Sequence, residues 1–305
     1  MNEKMNELAR ALRAACPELE LLENEPMSRH TSFRVGGPAA LMALPKTKRE
    51  AAQAVKTARA HGIVPFFLGN GSNLLVPDEG YDGFLIKPAG EFNEVREVNR
   101  RLVAGSAVTL ARLAKAALDR GLTGLEFAHG IPGTVGGGVF MNAGAYGGEI
   151  KDVIVSCTSL TQDGKVVTRT ADELALGYRT SIFKTNGEII LSAAFKLIKG
   201  NKETIRSTME DLLQKRKAKQ PVEFPSAGST FKRPEGYFAA ALIEQCGLKG
   251  YSVGDAEVSV KHSGFVINKG NATAADVLQL IEDIKKTVFE QTGVNLEMEV
   301  IFKGR

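Results

Sequence analysis

The chain has 305 residues, of which 43% are hydrophobic and 24% charged, and a formal net charge of +4. This length suggests about two domains, so the chain can bury a core without disulfides or a metal. The composition excludes a disordered or fibrous protein, and so small a charge gives no reason to expect nucleic acid as a partner. Glycine is in excess, because 32 are present where average usage predicts about 21.

The cysteines and the apolar segments bear on chemistry and location. Cys16, Cys157 and Cys246 are odd in number, far apart and without Cys-x-x-Cys spacing, which disfavours a disulfide framework and a zinc site. Residues 1–20 alternate charges with Leu and Ala, and no segment approaches the roughly 18 apolar residues of a membrane helix. The sequence predicts reduced thiols, no metal, no membrane segment and a cytoplasmic location.

The first half of the chain mixes helices with short strands. Thr47 and Glu50 have capping-box spacing and predict a helix that ends at Gly62. Thr109 is the predicted cap of a second helix, which stops at Gly121. Strands are predicted over 64–68, 74–76, 84–87, 94–99 and 101–104.

In the second half of the chain, a proline marks the predicted boundary between two domains. Strands over 153–160 and 165–169 flank an Asp-Gly hairpin turn, and a longer strand covers 189–198. A charged helix over 201–219 stops before Pro221, which is the predicted domain boundary. The remaining predicted elements are a helix over 238–246, a strand over 265–268, a helix over 273–292 and a strand over 295–302. Clusters of strands separated by single helices predict an α+β fold rather than a Rossmann sheet.

Two glycine-rich segments are candidates for a cofactor site. The loop GNGSN at 69–73 has the composition of an anion cradle, and a glycine hairpin between strands is the alternative. The segment GIPGTVGGG at 130–138 contains five glycines in nine residues, and a helix-packing surface is its alternative. Neither segment matches a Walker or Rossmann pattern. Two separate cradles predict a large, extended cofactor.

Five motifs in order resemble the UDP-N-acetylenolpyruvoylglucosamine reductase (MurB) family, over about 31–300 of the chain. They are GNGSNLL at 69–75, GIPGTVGG at 130–137, MNAGAYG at 141–147, GYRTS at 177–181 and SAGSTFK at 226–232. The resemblance implies an α+β protein with a two-subdomain FAD-binding domain of the vanillyl-alcohol-oxidase (PCMH) type and a C-terminal α+β substrate-binding domain. The implied divisions are 1–88, 89–218 and 219–298, with a strand over 299–305 that can return to the first subdomain.

The resemblance also implies an activity and its cofactors. The family is an NADPH-dependent UDP-N-acetylmuramate dehydrogenase, which reduces the enolpyruvyl ether of UDP-N-acetylglucosamine-enolpyruvate to a peptidoglycan precursor. FAD is expected to be non-covalent, because the loop over 69–73 contains no His or Cys. The expected cofactor-binding residues are Gly69, Asn70, Gly71, Ser72, Asn73, Leu74, Gly130, Ile131, Pro132, Gly133, Thr134, Gly136, Gly137, Asn142, Gly144 and Arg216.

Three residues match the family's catalytic groups. Ser229 matches the proton donor and Arg179 the cation that polarises the substrate carboxylate. Glu299 matches the catalytic glutamate, as a protonated donor or an orienting group, and Glu297 is the competing choice. The expected substrate-binding residues are Tyr178, Lys219, Arg233, Lys249 and His262. Without the resemblance, Lys219 is typical of a solvated helix face, Lys249 of a polar turn and His262 of a structural histidine.

The chain departs from the family pattern at two places. Arg233 stands where other members often have Asn, and too few residues separate Arg179 from the strand at Ile189 to hold a tyrosine-bearing loop. The chain therefore resembles the short form of the family, and Arg233 is a candidate for the group that binds the substrate diphosphate. A monomer or weak oligomer is expected. Another flavin oxidoreductase of the same cofactor fold, and a non-catalytic nucleotide-sugar-binding protein, are the alternative functions.

Overall fold

The computed structural model describes residues 2–304. Its helices are α1 Glu3–Ala15, α2 Lys48–Ala60, α3 Leu110–Asp119, α4 Val135–Phe140, α5 Phe183–Asn186, α6 Lys202–Lys219, α7 Ala239–Gln245 and α8 Ala274–Thr292. The strands of the first half are β1 Glu20–Pro26, β2 Pro38–Leu44, β3 Phe66–Phe67, β4 Leu74–Leu75, β5 Tyr81–Ile86, β6 Val95–Val98, β7 Arg101–Gly105, β8 Leu122–Thr123, β9 Gly144–Ala145 and β10 Gly148–Glu149. Those of the second half are β11 Ile154–Leu160, β12 Val166–Thr170, β13 Ile189–Phe195, β14 Ile198–Lys199, β15 Ser252–Val253, β16 Ala256–Val258, β17 Val266–Asn268 and β18 Ile301–Phe302. The mixed content confirms the predicted α+β class.

The chain folds into two compact units, each made of several segments. The first contains the N-terminal residues as far as Glu23, Leu41–Asn70 and Gly83–Gln214. The second contains Asn24–Ala40, Gly71–Asp82 and the chain from Lys215 onward. The chain passes from one unit to the other within β1, β2 and β5, which belong to a sheet of order β1-β2-β5-β3. The glycine loop over 69–73 is another such passage.

The first unit is built around an antiparallel sheet of order β12-β11-β13-β7-β6. Helix α3 contributes buried residues at helical spacing, namely Leu110, Leu113, Ala114, Ala117 and Leu118, as an amphipathic helix does when it covers a core. These side chains share one hydrophobic core with residues of the sheet and of α4. The predicted caps are confirmed, since Thr47 accepts from the Glu50 N–H and Thr109 from the Arg112 N–H.

The second unit packs α7 and α8 around a sheet of order β15-β16-β17. Helix α8 begins with a capping box of Thr273 and Asp276 and ends at Gly293, whose φ is 72°, so this predicted helix is confirmed. Strand β18 pairs in parallel with β4. A single strand over 295–302 was a wrong prediction. The segment pairs first with 230–232 and then with β4, so it changes partner instead of forming one ladder.

Three further features bear on chemistry. Cys16 and Cys157 are buried, Cys246 is half-buried, and all three are free thiols. Over residues 2–304, no cluster of His, Cys, Asp and Glu side chains could hold a metal ion. No helix in this described part of the chain combines the length and the apolar character needed to cross a membrane. The glycine segments and the motif residues remain as candidates for a functional site.

Candidate active site

The first two residues of the glycine loop, Gly69 and Asn70, lie beside the second glycine segment within the first unit. The Asn70 side-chain Nδ2 donates a hydrogen bond to the carbonyl oxygen of Pro132 at 3.0 Å. A Cβ atom on Gly69 would lie only 2.6 Å from Oγ1 of Thr134. Glycine at position 69 therefore permits this close approach, and the two predicted cradles lie side by side.

The loop over 69–73 is not a hairpin turn. Strand β3 pairs in parallel with β5, whereas β4 pairs in parallel with β18. Gly71 has a φ of 58°, and a Cβ atom there would overlap the carbonyl oxygen of His30. The Gly71 carbonyl oxygen also accepts from the Ser32 N–H at 3.2 Å. Backbone packing fixes the shape of this loop, and the hairpin alternative is wrong.

The second glycine segment contains the start of α4, and packing explains only part of its glycine content. The buried Thr134 caps α4, with Oγ1 accepting from the Gly137 N–H at 3.3 Å. A Cβ atom on Gly136 or Gly138 would lie 3.0 Å or 3.2 Å from a neighbouring side-chain carbon. A Cβ atom on Gly137 would meet only Thr134 Oγ1, at 3.6 Å, which is an ordinary contact. The bare surface at Gly137 therefore leaves room for a ligand.

Two buried polar atoms lie beside this segment without a hydrogen-bond partner among residues 2–304. They are Oγ of Ser106 and Nδ1 of His129. The Ser106 carbonyl oxygen accepts from the Gly136 N–H at 2.9 Å, and His129 directly precedes Gly130 in the chain. Buried polar atoms are nearly always bonded, so these two indicate a polar ligand or water. Together with the open position at Gly137, the segment fits a nucleotide cofactor such as FAD.

Arg179 lies in a tight turn of the first unit. The N–H of Gly177 donates to the carbonyl oxygen of Thr180 at 3.2 Å, and the N–H of Thr180 donates to the carbonyl oxygen of Gly177 at 3.3 Å. Arg179 has a φ of 53°, a left-handed conformation that is uncommon for residues other than glycine and concentrates at functional sites. Its guanidinium carbon lies 5.2 Å from the ring centre of Tyr178, which is half exposed. The turn presents a cation and an aromatic ring together.

Asn142 lies at the junction between this turn and the glycine segment. Its Nδ2 donates to Glu149 Oε2 at 2.8 Å and to the Gly177 carbonyl oxygen at 3.0 Å. Its Oδ1 accepts from the Lys151 N–H at 2.9 Å. A Cβ atom on Gly144 would lie 2.7 Å from Glu149 Cγ, so this glycine allows the contact. No spacing rule in the sequence singled out Glu149.

Glu149 carries a negative charge in this cluster. The Lys151 ammonium lies 2.9 Å from Glu149 Oε2 and lowers the pKa of the carboxyl group, although partial burial opposes it. The hydrogen bond from Asn142 and the positive charge of Arg179 lower the pKa further. Arg179 therefore has a carboxylate in its surroundings within the first unit.

Ser229 and Glu299 belong to adjacent antiparallel segments of the second unit. Phe231 pairs with Met298 in a β-bridge. The N–H of Glu299 donates to the carbonyl oxygen of Thr230 at 2.8 Å, which places the Glu299 main chain beside the residue that follows Ser229. The structure thus places two of the three predicted catalytic residues on paired main-chain segments.

The two candidate glutamates have different surroundings. The Glu297 side chain is 72% exposed and forms an ion pair with Lys232. Glu299 is half-buried, and its carbonyl oxygen accepts from Asn73 Nδ2 at 3.2 Å. This bond links Glu299 to the part of the first glycine loop that belongs to the second unit. Glu299 is therefore the less exposed of the two glutamates.

Lys249 and His262 lie close enough to interact electrostatically. Burial lowers the pKa of His262, and the nearby Lys249 charge lowers it further. His262 Nδ1 accepts from the Gly264 N–H at 3.2 Å, which places the ring proton of the neutral form on Nε2. Lys249 Nζ lies 2.7 Å from Glu244 Oε1. A neutral imidazole beside an ammonium suits a phosphorylated or hydroxylated ligand.

The other predicted ligand residues are more dispersed. Arg216 and Lys219 occupy the last turn of α6, Arg216 half-buried and Lys219 exposed. The Arg233 guanidinium carbon lies 3.9 Å from the ring centre of Phe238, which is 61% exposed. Leu74 is buried in β4. Arg233 thus stacks on an exposed aromatic ring, and Lys219 lies at the surface.

Comparison with known families assigns the class of protein. The family model described as an FAD binding domain matches residues 39–170, which include the first glycine loop and the second glycine segment. The C-terminal domain of UDP-N-acetylenolpyruvoylglucosamine reductase matches residues 220–303, which include Ser229 and Glu299. These matches and the glycine surface define an oxidoreductase that binds FAD.

Individual relatives identify the family. A UDP-N-acetylenolpyruvoylglucosamine reductase of Agathobacter rectalis is 52% identical over 301 residues, covering 94% of this chain and 95% of the relative. One of Clostridium novyi is 51% identical over 285 residues, covering 93% and 92%. The crystal structure of the reductase (MurB) from Thermus caldophilus matches with a TM-score of 0.81 at 37% identity, covering 93% of this chain and 98% of that one. The chain belongs to the UDP-N-acetylenolpyruvoylglucosamine reductase family. The predictions of family, fold and FAD cofactor are thereby confirmed.

Proposed function

We propose that this chain uses NADPH to reduce the enolpyruvyl ether of UDP-N-acetylglucosamine-enolpyruvate to UDP-N-acetylmuramate, a peptidoglycan precursor. The observation that carries the proposal is the pairing of the Ser229 and Glu299 segments inside the region that matches the reductase C-terminal domain. A serine and a glutamate on paired main-chain segments suit the second half of this reduction, in which a carbon atom must be protonated.

The cofactor is assigned to the two glycine segments. Gly69 and Asn70 contact the second segment, and Gly137 leaves space that a ligand can fill. The remaining candidates are those predicted from the sequence, from Gly71 to Leu74, from Gly130 to Thr134, Gly136, Gly144 and Arg216. When bound, FAD supplies hydride transfer from NADPH to the β-carbon of the enolpyruvyl group.

Ser229 is assigned as the proton donor to the α-carbon. Addition of a hydride at the β-carbon leaves the electron pair of the double bond on the α-carbon, and the Ser229 hydroxyl proton forms the new C–H bond there. A hydroxyl is a weak acid, but a developing carbanion is so strong a base that position matters more than a tuned pKa. The main chain of Glu299 lies beside Thr230. Glu299 is assigned to orient the enolpyruvyl group of the substrate or to donate a hydrogen bond to it.

Arg179 is assigned to the substrate carboxylate. Negative charge moves from the α-carbon into this carboxylate as the reaction proceeds, and a fixed guanidinium stabilises it. The left-handed turn fixes the Arg179 main chain, and Tyr178 lies alongside the guanidinium. Arg179 belongs to the first unit, and Ser229 and Glu299 belong to the second.

The nucleotide part of the substrate is assigned to cationic and aromatic groups of the second unit. Arg233 stacks on Phe238, and a planar guanidinium on an aromatic ring is suited to a diphosphate or a base. Lys249 and the neutral His262 are a second pair of donors. Lys219 is a third candidate, at the end of α6.

A steady-state assay with product analysis tests the proposal. Oxidation of NADPH should depend on the enolpyruvyl sugar nucleotide, and mass spectrometry should show a product heavier by two hydrogen atoms. Turnover with simple alcohols or lactones, but not with the sugar nucleotide, would identify another flavin oxidoreductase. A colourless protein that binds the sugar nucleotide without NADPH oxidation would identify a non-catalytic binding protein.

A further inference from the structure

Asn142 occupies the position directly after the C-terminal cap of α4. It has a φ of 43°, and the surrounding main chain closes the helix through the Met141 N–H to Gly137 and the Ala143 N–H to Gly138. Glycine is the commonest residue at this left-handed position and asparagine is the usual second choice. Glycine would therefore satisfy the backbone here, so the asparagine side chain needs an explanation of its own.

The Asn142 side chain is committed to bonds inside the protein. It is 1% exposed, and both of its N–H groups donate, one to Glu149 and one to the Gly177 carbonyl oxygen. The orientation of the amide is fixed, because a carboxylate and a carbonyl can only accept and the Lys151 N–H can only donate. Both N–H groups of the Asn142 amide therefore already have acceptors within the protein, and neither is left to donate to a cofactor phosphate.

The Arg179 turn is attached to the C-terminal end of α4 at two points. Asn142 holds the first residue of the turn, Gly177, through its carbonyl oxygen. The Ser181 hydroxyl, just beyond the turn, donates to the carbonyl oxygen of Phe140 at 2.7 Å. Between these two attachments Arg179 keeps a left-handed φ, which non-glycine residues retain only where their surroundings impose it. The bond from Asn142 supplies part of that constraint.

We propose that Asn142 is a positioning residue for Arg179 rather than a cofactor ligand. It fixes the Arg179 turn to the end of the glycine helix α4, so that the guanidinium is held in one place when the substrate carboxylate develops charge. The inference rests on the proposed function, in which Arg179 polarises that carboxylate. It replaces the sequence-based expectation that Asn142 binds FAD directly.

The test compares Asn142→Gly with Asn99→Gly in the complete FAD-loaded protein. Both asparagines have a left-handed φ, 43° and 50°, and Asn99 lies in the exposed turn between β6 and β7. Each variant is mixed anaerobically with NADPH, to follow loss of the yellow colour, and then with the enolpyruvyl sugar nucleotide, to follow its return. Flavin content and hydrogen exchange at the amides of 178–181 are measured in parallel.

Asn142→Gly should slow the return of colour by about 10- to 100-fold, the usual effect of misplacing a catalytic group by a small distance. Loss of colour with NADPH should stay within about twofold of the parent rate, because Arg179 has no part in that step. Flavin content should be unchanged, hydrogen exchange at 178–181 should rise, and Asn99→Gly should match the parent protein. Loss of flavin, equal slowing of both steps, or no slowing of either would overturn the proposal.

A second variant covers the case in which Asn142→Gly does not fold. Asn142→Asp combined with Glu149→Gln restores a hydrogen bond between positions 142 and 149 with the donor and acceptor exchanged, but not the bond to Gly177. This double variant should remain slow in the second step, and a parent-like rate would overturn the proposal. Failure of the proposed function looks different, because the parent protein itself would then show no return of colour.

Discussion

The main-chain N–H of Glu299 donates to the carbonyl oxygen of Thr230 at 2.8 Å, beside Ser229. This bond, with the bridge between Phe231 and Met298, joins a loop of the second unit to the segment near the end of the chain. Two candidate catalytic groups that are far apart in sequence therefore share one local framework. Changes to their side chains can be tested without breaking that framework, because main-chain atoms form it.

Replacement of the Ser229 hydroxyl separates the two halves of the reaction. Ser229→Ala should leave the loss of colour with NADPH nearly unchanged, because no proton is delivered to the substrate in that half. The return of colour with the enolpyruvyl sugar nucleotide should slow by about 10²–10⁴-fold, the usual contribution of a positioned acid. Stopped-flow absorbance measures both rates.

Ser226→Ala is the matched control in the same loop. Ser226 forms a β-bridge with Ile267, and its carbonyl oxygen accepts a hydrogen bond from the Ser32 hydroxyl. Both contacts use main-chain atoms of Ser226, which alanine retains. Parent-like rates in both halves are expected for this variant. Equal losses in both halves for Ser229→Ala would show that Ser229 is not the proton donor.

The two glutamates near the end of the chain give opposite expectations. Glu299→Gln should lower kcat by about 10²–10³-fold, the scale of removing one pre-organised electrostatic group. Glu297→Gln should leave kcat almost unchanged, because Glu297 is largely exposed and its ion pair with Lys232 is of a kind usually worth about 0–1 kcal/mol. Steady-state kinetics of both variants decide between them, and the reverse order would move the catalytic role to Glu297.

Gly137→Ala tests the glycine surface without disturbing its packing. A Cβ atom at this position meets only Thr134 Oγ1 at 3.6 Å, and alanine has a higher helix propensity than glycine. The variant should therefore unfold at an equal or higher urea concentration in the flavin-free state. It should nevertheless retain less FAD after gel filtration, as measured by the ratio of flavin to protein absorbance.

Gly71→Val cannot serve the same purpose, because a Cβ atom at Gly71 would overlap the His30 carbonyl oxygen. Its expected effect is loss of folding, whatever the cofactor does. For Gly137→Ala, full FAD retention together with a stable fold would show that this part of α4 does not contact the cofactor.

His262 should make the stability of the protein depend on pH. Burial lowers its pKa in the folded state below the ordinary value of 6.5, so between these two values the unfolded chain binds more protons than the folded one. The stabilising contribution is full above the unfolded pKa and is lost as the pH falls toward the folded pKa. His262→Asn should reduce the slope of unfolding free energy against pH in that window. Urea titrations of both proteins from about pH 8 to about pH 5 measure it, and identical slopes would contradict this expectation.

The helices could be predicted because their signals are local. Thr47, Thr109 and Thr273 each accept the N–H three residues further along, and such a cap is visible in the sequence. The parallel pairing of Leu74 with Ile301 joins distant residues and has no local signal. The strand predicted over 189–198 ended instead at Phe195, and β14 pairs separately with β8.

The glycine segments and the candidate catalytic motifs could be recognised in the sequence. Which of their residues serve packing, and which are open to a ligand, could not. The sequence alone does not distinguish Gly136, Gly137 and Gly138 from one another. In the structure, neighbouring side chains pack closely against Gly136 and Gly138 and leave Gly137 open. The motif MNAGAYG predicts Asn142 as a cofactor ligand, and in the structure its side chain bonds to Glu149, Lys151 and Gly177. Its partner Gly177 is distant in the chain, so its connection to the Arg179 turn required the folded structure.

Anaerobic mixing of the parent protein tests the central claim most directly. The purified protein should be yellow, should lose its colour on addition of NADPH, and should regain it on addition of UDP-N-acetylglucosamine-enolpyruvate in the absence of oxygen. The colour that returns should correspond to one product molecule per flavin. A protein that loses its colour with NADPH but does not regain it with this substrate would contradict the proposed function.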